Sequence, residues 1–434
     1  MKTLTYLPVN WVNGLKLTSK HFFANQYSQT EALNREAGRS LTSYNYGLGE
    51  VLEGIGDNLE IEISGDTMST LCVRLKSCNA ITKGGLPIVY YDGLYGDEKP
   101  SATISESGLQ AEDSEYMVLI SVDPYHLIPV GEPDPEEVPL HHPYVLPSIK
   151  LHIVPKNQVN KSFYSQNFLL VAEVCRQGNT YKINHQYIPP VQHSACHDGI
   201  KTFISQLART LQSIKEDVKL IYSRNVADKR RDTLANNTFE LCKAFSAFYN
   251  SRIFFIEQIA LEQPPIYLVQ AVNELANGLN SALQSLSETE REQLLQYFYE
   301  WTNVTPSEFI TKIESVTKLM YDHTNINQSL QTAGALVTLL SNMFHKMSEL
   351  EYIGMVRENI IVGDESHETI EAQKKRSWSF IGERLNHSKY GSRKQKSSFE
   401  SETPIYFGIR YRTDCYHNRR CRNDCDCTKG NIPS

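Results

Sequence analysis

No stretch of this 434-residue chain approaches the roughly 18 to 20 consecutive apolar residues that a bilayer-crossing helix needs. Its first residues also lack a charged region followed by an apolar one, so the expectation is a cytoplasmic protein. Catalytic signatures are missing too. There is no G-x-x-x-x-G-K-[ST] to cradle phosphates, no H-E-x-x-H to hold zinc and no G-x-S-x-G elbow to expose a nucleophile. Gly47-Leu48-Gly49 followed by Gly54 has the wrong spacing for a dinucleotide loop. These gaps argue against an enzyme and against an organic cofactor. Regular cysteine spacing is absent as well: the count is nine, an odd number, and those in the first 242 residues are scattered, as suits reduced and mostly buried thiols.

The formal charge of −7 conceals an asymmetry. Residues 371–434 hold 14 Lys plus Arg against 7 Asp plus Glu, a net of +7, so the remainder carries −14. An acidic body with a basic end is expected to present two different surfaces to partners.

Hydrophobic patterning divides the chain in three. After an early helix near residues 19–44, residues 1–192 read as β-structure. Apolar and polar residues alternate at 59–64, 70–75, 116–122 and 148–154, with Gly, Pro, Asn and Asp between them. Short strands joined by turn-rich loops indicate a sandwich rather than a parallel sheet. From 195 to 350 the period changes to that of helices, and their starts can be named. Pro264-Pro265 precedes one helix, Ser287 and Glu290 form a capping box, and Thr305-Pro306-Ser307-Glu308 places Pro at a first helical position. Short loops between long helices imply an antiparallel bundle. Residues 351–434 form a small third region. Its part at 363–402 is poor in apolar residues and linker-like, and 404–411 is a strand candidate. The fold class expected is α+β multidomain.

The first helix of the bundle carries a heptad seam. Ile200, Ile204, Leu207, Leu211, Ile214, Val218 and Ile221 recur at spacings of 4, 3, 4, 3, 4 and 3. Ile200, Leu207, Ile214 and Ile221 then occupy d positions, where β-branched residues disfavour parallel dimers and favour three or four strands. Two readings stay open: the seam is the axis of an oligomer, or it packs against the other helices of its own bundle.

Two groups of donors invite a metal reading. Cys415, His417, Cys421, Cys425 and Cys427 fall within thirteen residues and supply enough soft ligands for a tetrahedral zinc site, although C-x5-C-x3-C-x-C is no standard knuckle. Chance cysteines in a basic end are the plainer reading. Nucleic-acid binding by Arg410, Arg412, Arg419, Arg420 and Arg422 is disfavoured. His141-His142 sits between prolines and lacks further ligands, and Glu132, Asp134, Glu136 and Glu137 read as a solvated acidic loop.

The most informative stretch is residues 11–22, W-V-N-G-L-K-L-T-S-K-H-F. Locally, Gly14 supplies a turn, Leu15 and Leu17 alternate as a short strand would, Thr18 or Ser19 can cap the next helix, and His21 beside Phe22 and Phe23 reads as a hydrogen-bonding residue at a junction. The pattern W-x-x-G-(M/L)-x-L-x-x-x-H-F, filled here by Trp11, Gly14, Leu15, Leu17, His21 and Phe22, resembles the N-terminal signature of the TssK family, baseplate subunits of the bacterial type VI secretion system. Tyr46-Gly47-Leu48-Gly49, Asp123-Pro124, the proline-rich 139–147, Phe168 to Val174 and Tyr187-Ile188-Pro189-Pro190 follow in the family's order. The resemblance covers roughly residues 9–350.

That resemblance implies a homotrimer with a β-sandwich shoulder, a helical-bundle neck and a C-terminal head. It implies a structural adaptor that binds the wedge subunits TssF and TssG through its N-terminal part and reaches the membrane complex, or a subtype-specific anchor, through its C-terminal region, at the inner face of the inner membrane. The wedge interface would then include Trp11, Gly14, Leu15, Leu17, His21, Phe22 and Phe23, and the seam would be the trimer axis. Only some 80 residues follow Leu350, so the C-terminal region is expected to be small and divergent. The alternative is a phage-type tail or receptor-binding protein with a carbohydrate-binding sandwich. Aromatics lining a groove between protomers would favour that alternative, and an apolar patch near residues 11–22 would favour the adaptor.

Overall fold

A computed structural model describes residues 4–64, 70–105, 115–159, 167–177, 180–227 and 232–355. The described residues all belong to one compact unit, Met1–Asn359. The stretches expected as linker and strand at 363–402 and 404–411, and the tail donors Cys415, His417, Cys421, Cys425 and Cys427, lie outside the described residues.

Helix α1, Ser19–Ser40, is followed by two antiparallel sheets. The first holds β1 (Gly47–Leu48), β2 (Leu59–Ser64), β3 (Thr70–Ile81), β4 (Pro87–Tyr91) and β5 (Ser101–Ser105), with the long β3 pairing all the others. The second runs β7 (Tyr144–Pro155), β6 (Glu115–Val130), β8 (Phe168–Gln177), β9 (Thr180–Ile183). Period-two patterning turns one side of each strand inward: Leu71, Val73 and Leu75 of β3 and Tyr116, Val118, Ile120 and Val122 of β6 share one core. Met117, Leu119 and Leu170 face the other way and form a smaller core with Val154, Phe168 and Tyr187. Strand β6 is therefore covered on both faces, so the alternation expected at 116–122 does not hold: residues 116–120 are apolar throughout and all buried.

Among the described residues six α-helices follow: α2 (Asp198–Ala227), α3 (Thr233–Phe254), α4 (Ile266–Gln284), α5 (Glu288–Thr302), α6 (Pro306–Thr317) and α7 (Ile326–Glu349). The Ser287–Glu290 capping box is formed, and Thr305 accepts from the Glu308 N–H with Pro306 at the first helical position. Among the described residues no helix is long and apolar enough to cross a membrane.

The seam of α2 corrects one expectation. Ile200, Ile204, Leu207, Leu211, Ile214, Val218 and Ile221 are all at least 95 % buried within a single chain, covered by α3 and α7. Phe203 of α2 lies against Gly334 of α7, Asp217 accepts from Ser348 Oγ at 2.9 Å, and Tyr222 stacks on Phe239 of α3 at 5.3 Å. The opposite side of α2 is polar, with Lys201, Ser205, Gln206, Arg209, Gln212 and Glu216 exposed. A side chain that already contacts its own bundle cannot also line an axis between copies, so these seven residues are core and not a trimer axis.

Sandwich and bundle share a continuous core, and a buried polar joint ties them. His323, in the loop between α6 and α7, donates from Nε2 to the Tyr46 carbonyl at 2.8 Å, and its Nδ1 accepts from the Tyr321 hydroxyl at 2.8 Å. The bond from Tyr321 requires neutral imidazole, and burial, outweighing the bond to the Tyr46 carbonyl, pushes its pKa down to about 4. Next to it, Gly47 at φ +118° passes so close to Pro190 that a Cβ would sit 2.0 Å from the Pro190 carbonyl oxygen, and the Leu48 N–H donates to that oxygen at 2.8 Å. A histidine with a depressed folded pKa contributes stability above its unfolded value of about 6.5, and that contribution is lost as pH falls toward 4. We expect acidification from pH 7 to 4 to remove about 3 kcal/mol through this group, and His323→Gln to flatten that part of the profile in pH-resolved denaturant titrations.

Candidate protein-docking surface

Residues 4–18 carry no regular structure, so Leu15 and Leu17 do not form the expected strand. A turn takes its place. The Leu15 N–H donates to the Val12 carbonyl at 3.2 Å, with Gly14 in the third position at φ +84°, where a side chain would be strained. Thr18 then caps α1. The Thr18 backbone N–H donates to His21 Nδ1 at 3.2 Å and the Thr18 hydroxyl lies 2.9 Å from the same nitrogen, so His21 fills the place that Glu or Gln takes in a capping box. The helix ends at Ser40, short of residue 44, because Asn45 turns its side chain back to the Thr42 N–H at 2.6 Å.

Of the 22 residues of α1, Glu31 alone is buried. Its carboxylate accepts from the Tyr6 N–H at 2.7 Å and from the Thr5 N–H at 3.0 and 3.1 Å. Those bonds, the one from Tyr6 first, hold its pKa below the usual carboxylate range. Beside this latch Tyr6, Tyr27 and Tyr125 pack as a trio, with Tyr6 and Tyr125 ring centroids 4.2 Å apart. At the far end of α1, Gly38 lies on Gly84 and Gly85, where a Cβ on Gly85 would meet the Asn34 carbonyl oxygen at 2.5 Å. The helix is thus held along one side, through Tyr27, Glu31 and Gly38, and leaves its other side open.

What it leaves open is apolar. Trp11 is 50 % exposed, Leu17 57 %, Phe22 60 %, Phe23 48 % and Leu33 71 %, and Leu4, Leu7 and Val12 are exposed beside them. Phe22 and Leu33 are three helical turns apart on one face, and the Trp11 ring stands 6.5 Å from Phe22 and 6.3 Å from His21. A single exposed leucine needs no explanation; eight large apolar residues exposed within 30 residues of chain make this a candidate docking surface. The structure therefore brings together Trp11, Leu17, Phe22 and Phe23 as accessible apolar groups, whereas Gly14 and His21 shape the backbone that presents them and Leu15 is half-buried.

Because Glu31 is the latch for the segment carrying Trp11, Glu31→Gln should free that segment. Its contribution exists above the ordinary carboxylate range and disappears as pH drops through the lowered folded value. The protection factors of the Thr5 and Tyr6 amides, taken against the intrinsic exchange rate at each pH, should fall several-fold in the variant at neutral pH, and in the native chain on acidification.

Other polar groupings give no comparable surface. Glu115, Glu173 and Cys175 come within coordination distance of one another, but the Lys156 ammonium lies 2.8 Å from Glu115 and 3.2 Å from Glu173, and burial pushes the Cys175 thiol up. His141 and His142 donate from Nδ1 to the Pro139 and Gly131 carbonyls, at 2.9 and 2.7 Å, and do not converge on one point. Cys78, Cys196 and Cys242 are buried free thiols.

No protein-family model matches this chain, and no curated protein matches it. Among solved structures it is similar to a crystal structure of TssK, at 16 % identity and a TM-score of 0.49 over 77 % of this chain and 72 % of that one. It is also similar to TssK of the type VI secretion system of EAEC in complex with nanobody nb18, at 14 % identity and 0.44 over 74 % and 99 %. A third likeness is to the TssK-TssF-TssG baseplate subcomplex solved by cryo-electron microscopy, at 13 % identity and 0.43 over 78 % and 99 %. Scores below 0.5 at these identities carry no conclusion about what this chain binds.

Proposed function

We propose that this chain is a non-enzymatic structural subunit of a type VI secretion baseplate, an adaptor of the TssK kind that binds wedge subunits through α1 and the segment before it. The observation that carries the reading is the exposure of the signature itself: Trp11, Leu17, Phe22 and Phe23 stand at the surface although they are among the most apolar side chains of the N-terminal part. The match of residues 11–22 to the family signature, and a sandwich followed by a six-helix bundle, support it further. An apolar patch of this kind also favours the adaptor over a carbohydrate-binding tail protein, whose aromatics would line a groove between protomers.

The partners proposed are TssF and TssG for this patch, and the membrane complex or another anchor for the basic C-terminal region. The assembly proposed is a homotrimer, cytoplasmic and placed against the inner membrane. Zinc bound by Cys415, His417, Cys421, Cys425 and Cys427 belongs to the same set of proposals. Purified TssF and TssG mixed with the chain should elute with it as one complex; separate elution at micromolar concentrations of all three would refute the adaptor reading.

A further inference from the structure

The hairpin of β6 and β7 outgrows its sheet. β8 pairs with β6 only over 115–121, whereas β6 and β7 continue beyond a bulge at 123–127 to pair 127–130 with 144–147. The apex, residues 131–143, is closed on itself by the bond from His142 to the Gly131 carbonyl and by the Glu136 N–H donating to Asp134 at 2.9 Å. It holds its apolar side chains away from the body: Val138 is 96 % exposed, Leu140 65 % and Tyr144 69 %. No Lys or Arg occurs between Lys99 and Lys150, and the apex carries Glu132, Asp134, Glu136 and Glu137.

At the root of the same arm lies a cavity of about 290 Å³ between α1 and the first sheet. Arg35, Arg39 and Lys83 outnumber the one carboxylate that lines it, Glu31, which already accepts from the Thr5 and Tyr6 amides; Arg39 pairs with Glu36 at 2.6 Å at the rim, and Leu86, Pro124 and Tyr125 give the cavity an apolar wall. Its charge and its wall complement the apex. The exposure of Val138 shows that the apex does not enter the cavity of its own chain, and five extended residues from Tyr125 to Val130 set the start of the apex about 17 Å off.

We propose that the β6–β7 apex of one copy docks into the α1–sheet cavity of the next. Val138 and Leu140 meet the apolar wall and the flanking carboxylates meet Arg39 and Lys83. Such a contact is head-to-tail, so it generates a ring when the rotation closes. The proposal rests on the reading of this protein as a homotrimer, and it supplies an interface between copies that the α2 seam does not.

Light scattering on the full chain tests it. The exposed positions permit variants that keep the fold, checked by unchanged thermal melting. Val138→Asp with Leu140→Asp, Glu136→Lys with Glu137→Lys, and Arg39→Glu with Lys83→Glu should each raise the dissociation constant of the assembly ten-fold or more. Combining the two charge reversals in one chain should restore it. A native chain that is oligomeric while all these variants remain equally so would overturn the arm contact and leave the trimer standing. A native chain that is monomeric would overturn both. Variants that stay oligomeric but lose TssF or TssG would assign the apex to a foreign partner, and the proposal would fail.

Discussion

Leu211→Ala is expected to lower the unfolding free energy of the chain by about 2 to 5 kcal/mol, with Ile214→Ala close behind. Both side chains are fully buried between α2 and the helices that cover it, and truncation leaves a cavity in a shared core. A small domain typically has only about 5 to 15 kcal/mol in hand, so the double variant should unfold near ambient temperature. Because the seam is internal, the loss should be independent of protein concentration; an interface between copies would instead make the melting temperature climb with concentration. Replacing both residues by Asp should abolish folding outright, since a carboxylate buried among aliphatic side chains has no partner. Denaturant titrations at two concentrations a hundred-fold apart check this. A variant that kept native stability as a monomer and merely failed to associate would return the seam to an oligomer axis.

Trp11→Ala combined with Phe22→Ala should do the reverse. Half-exposed side chains on a segment outside the sheets contribute little to the fold, so stability should change by no more than about 0.5 to 1 kcal/mol. Aromatic anchors at the centre of an interface often contribute about 2 kcal/mol or more each, and the loss of one such anchor corresponds to about 30-fold in affinity. Affinity for TssF and TssG, measured by calorimetry or biolayer interferometry, should therefore fall at least that far while melting and oligomeric state hold. Unchanged affinity would remove the patch from the interface; an unfolded variant would make it core.

Local pattern made much of the fold legible. Leu59, Ile61 and Ile63 alternate with Glu60, Glu62 and Ser64 over the whole of β2, and the Ser287 and Thr305 caps mark the starts of α5 and α6 to the residue. The seam marks a face to be covered but not its partner, because a 4-3 spacing is the same whether the helix that covers it belongs to another copy or lies far along one chain, as Ser348 lies 131 positions from Asp217. Long-range pairs were out of reach for the same reason. Nothing near Tyr46 announces His323, 277 positions away, and nothing near Tyr6 announces that Glu31 will capture its amide. At the candidate site, the apolar residues of 11–23 are visible as a cluster, yet their exposure depends on α1 being held along the side that carries Tyr27, Glu31 and Gly38. Leu33, the most exposed of them, joins the patch only because α1 carries it three turns from Phe22. The apex at 131–143 read as a solvated acidic loop; its apolar side chains become conspicuous only once β6 and β7 lift them clear of the body.

If α1 and the segment before it form the docking surface for the wedge, hydrogen exchange with and without TssF and TssG reports it. Backbone amides across residues 9–33 should exchange more slowly in the complex, while those of α2, α3 and α7, already covered within the chain, should not change. Protection confined to other parts of the chain, with residues 9–33 exchanging as in the free protein, would contradict the account.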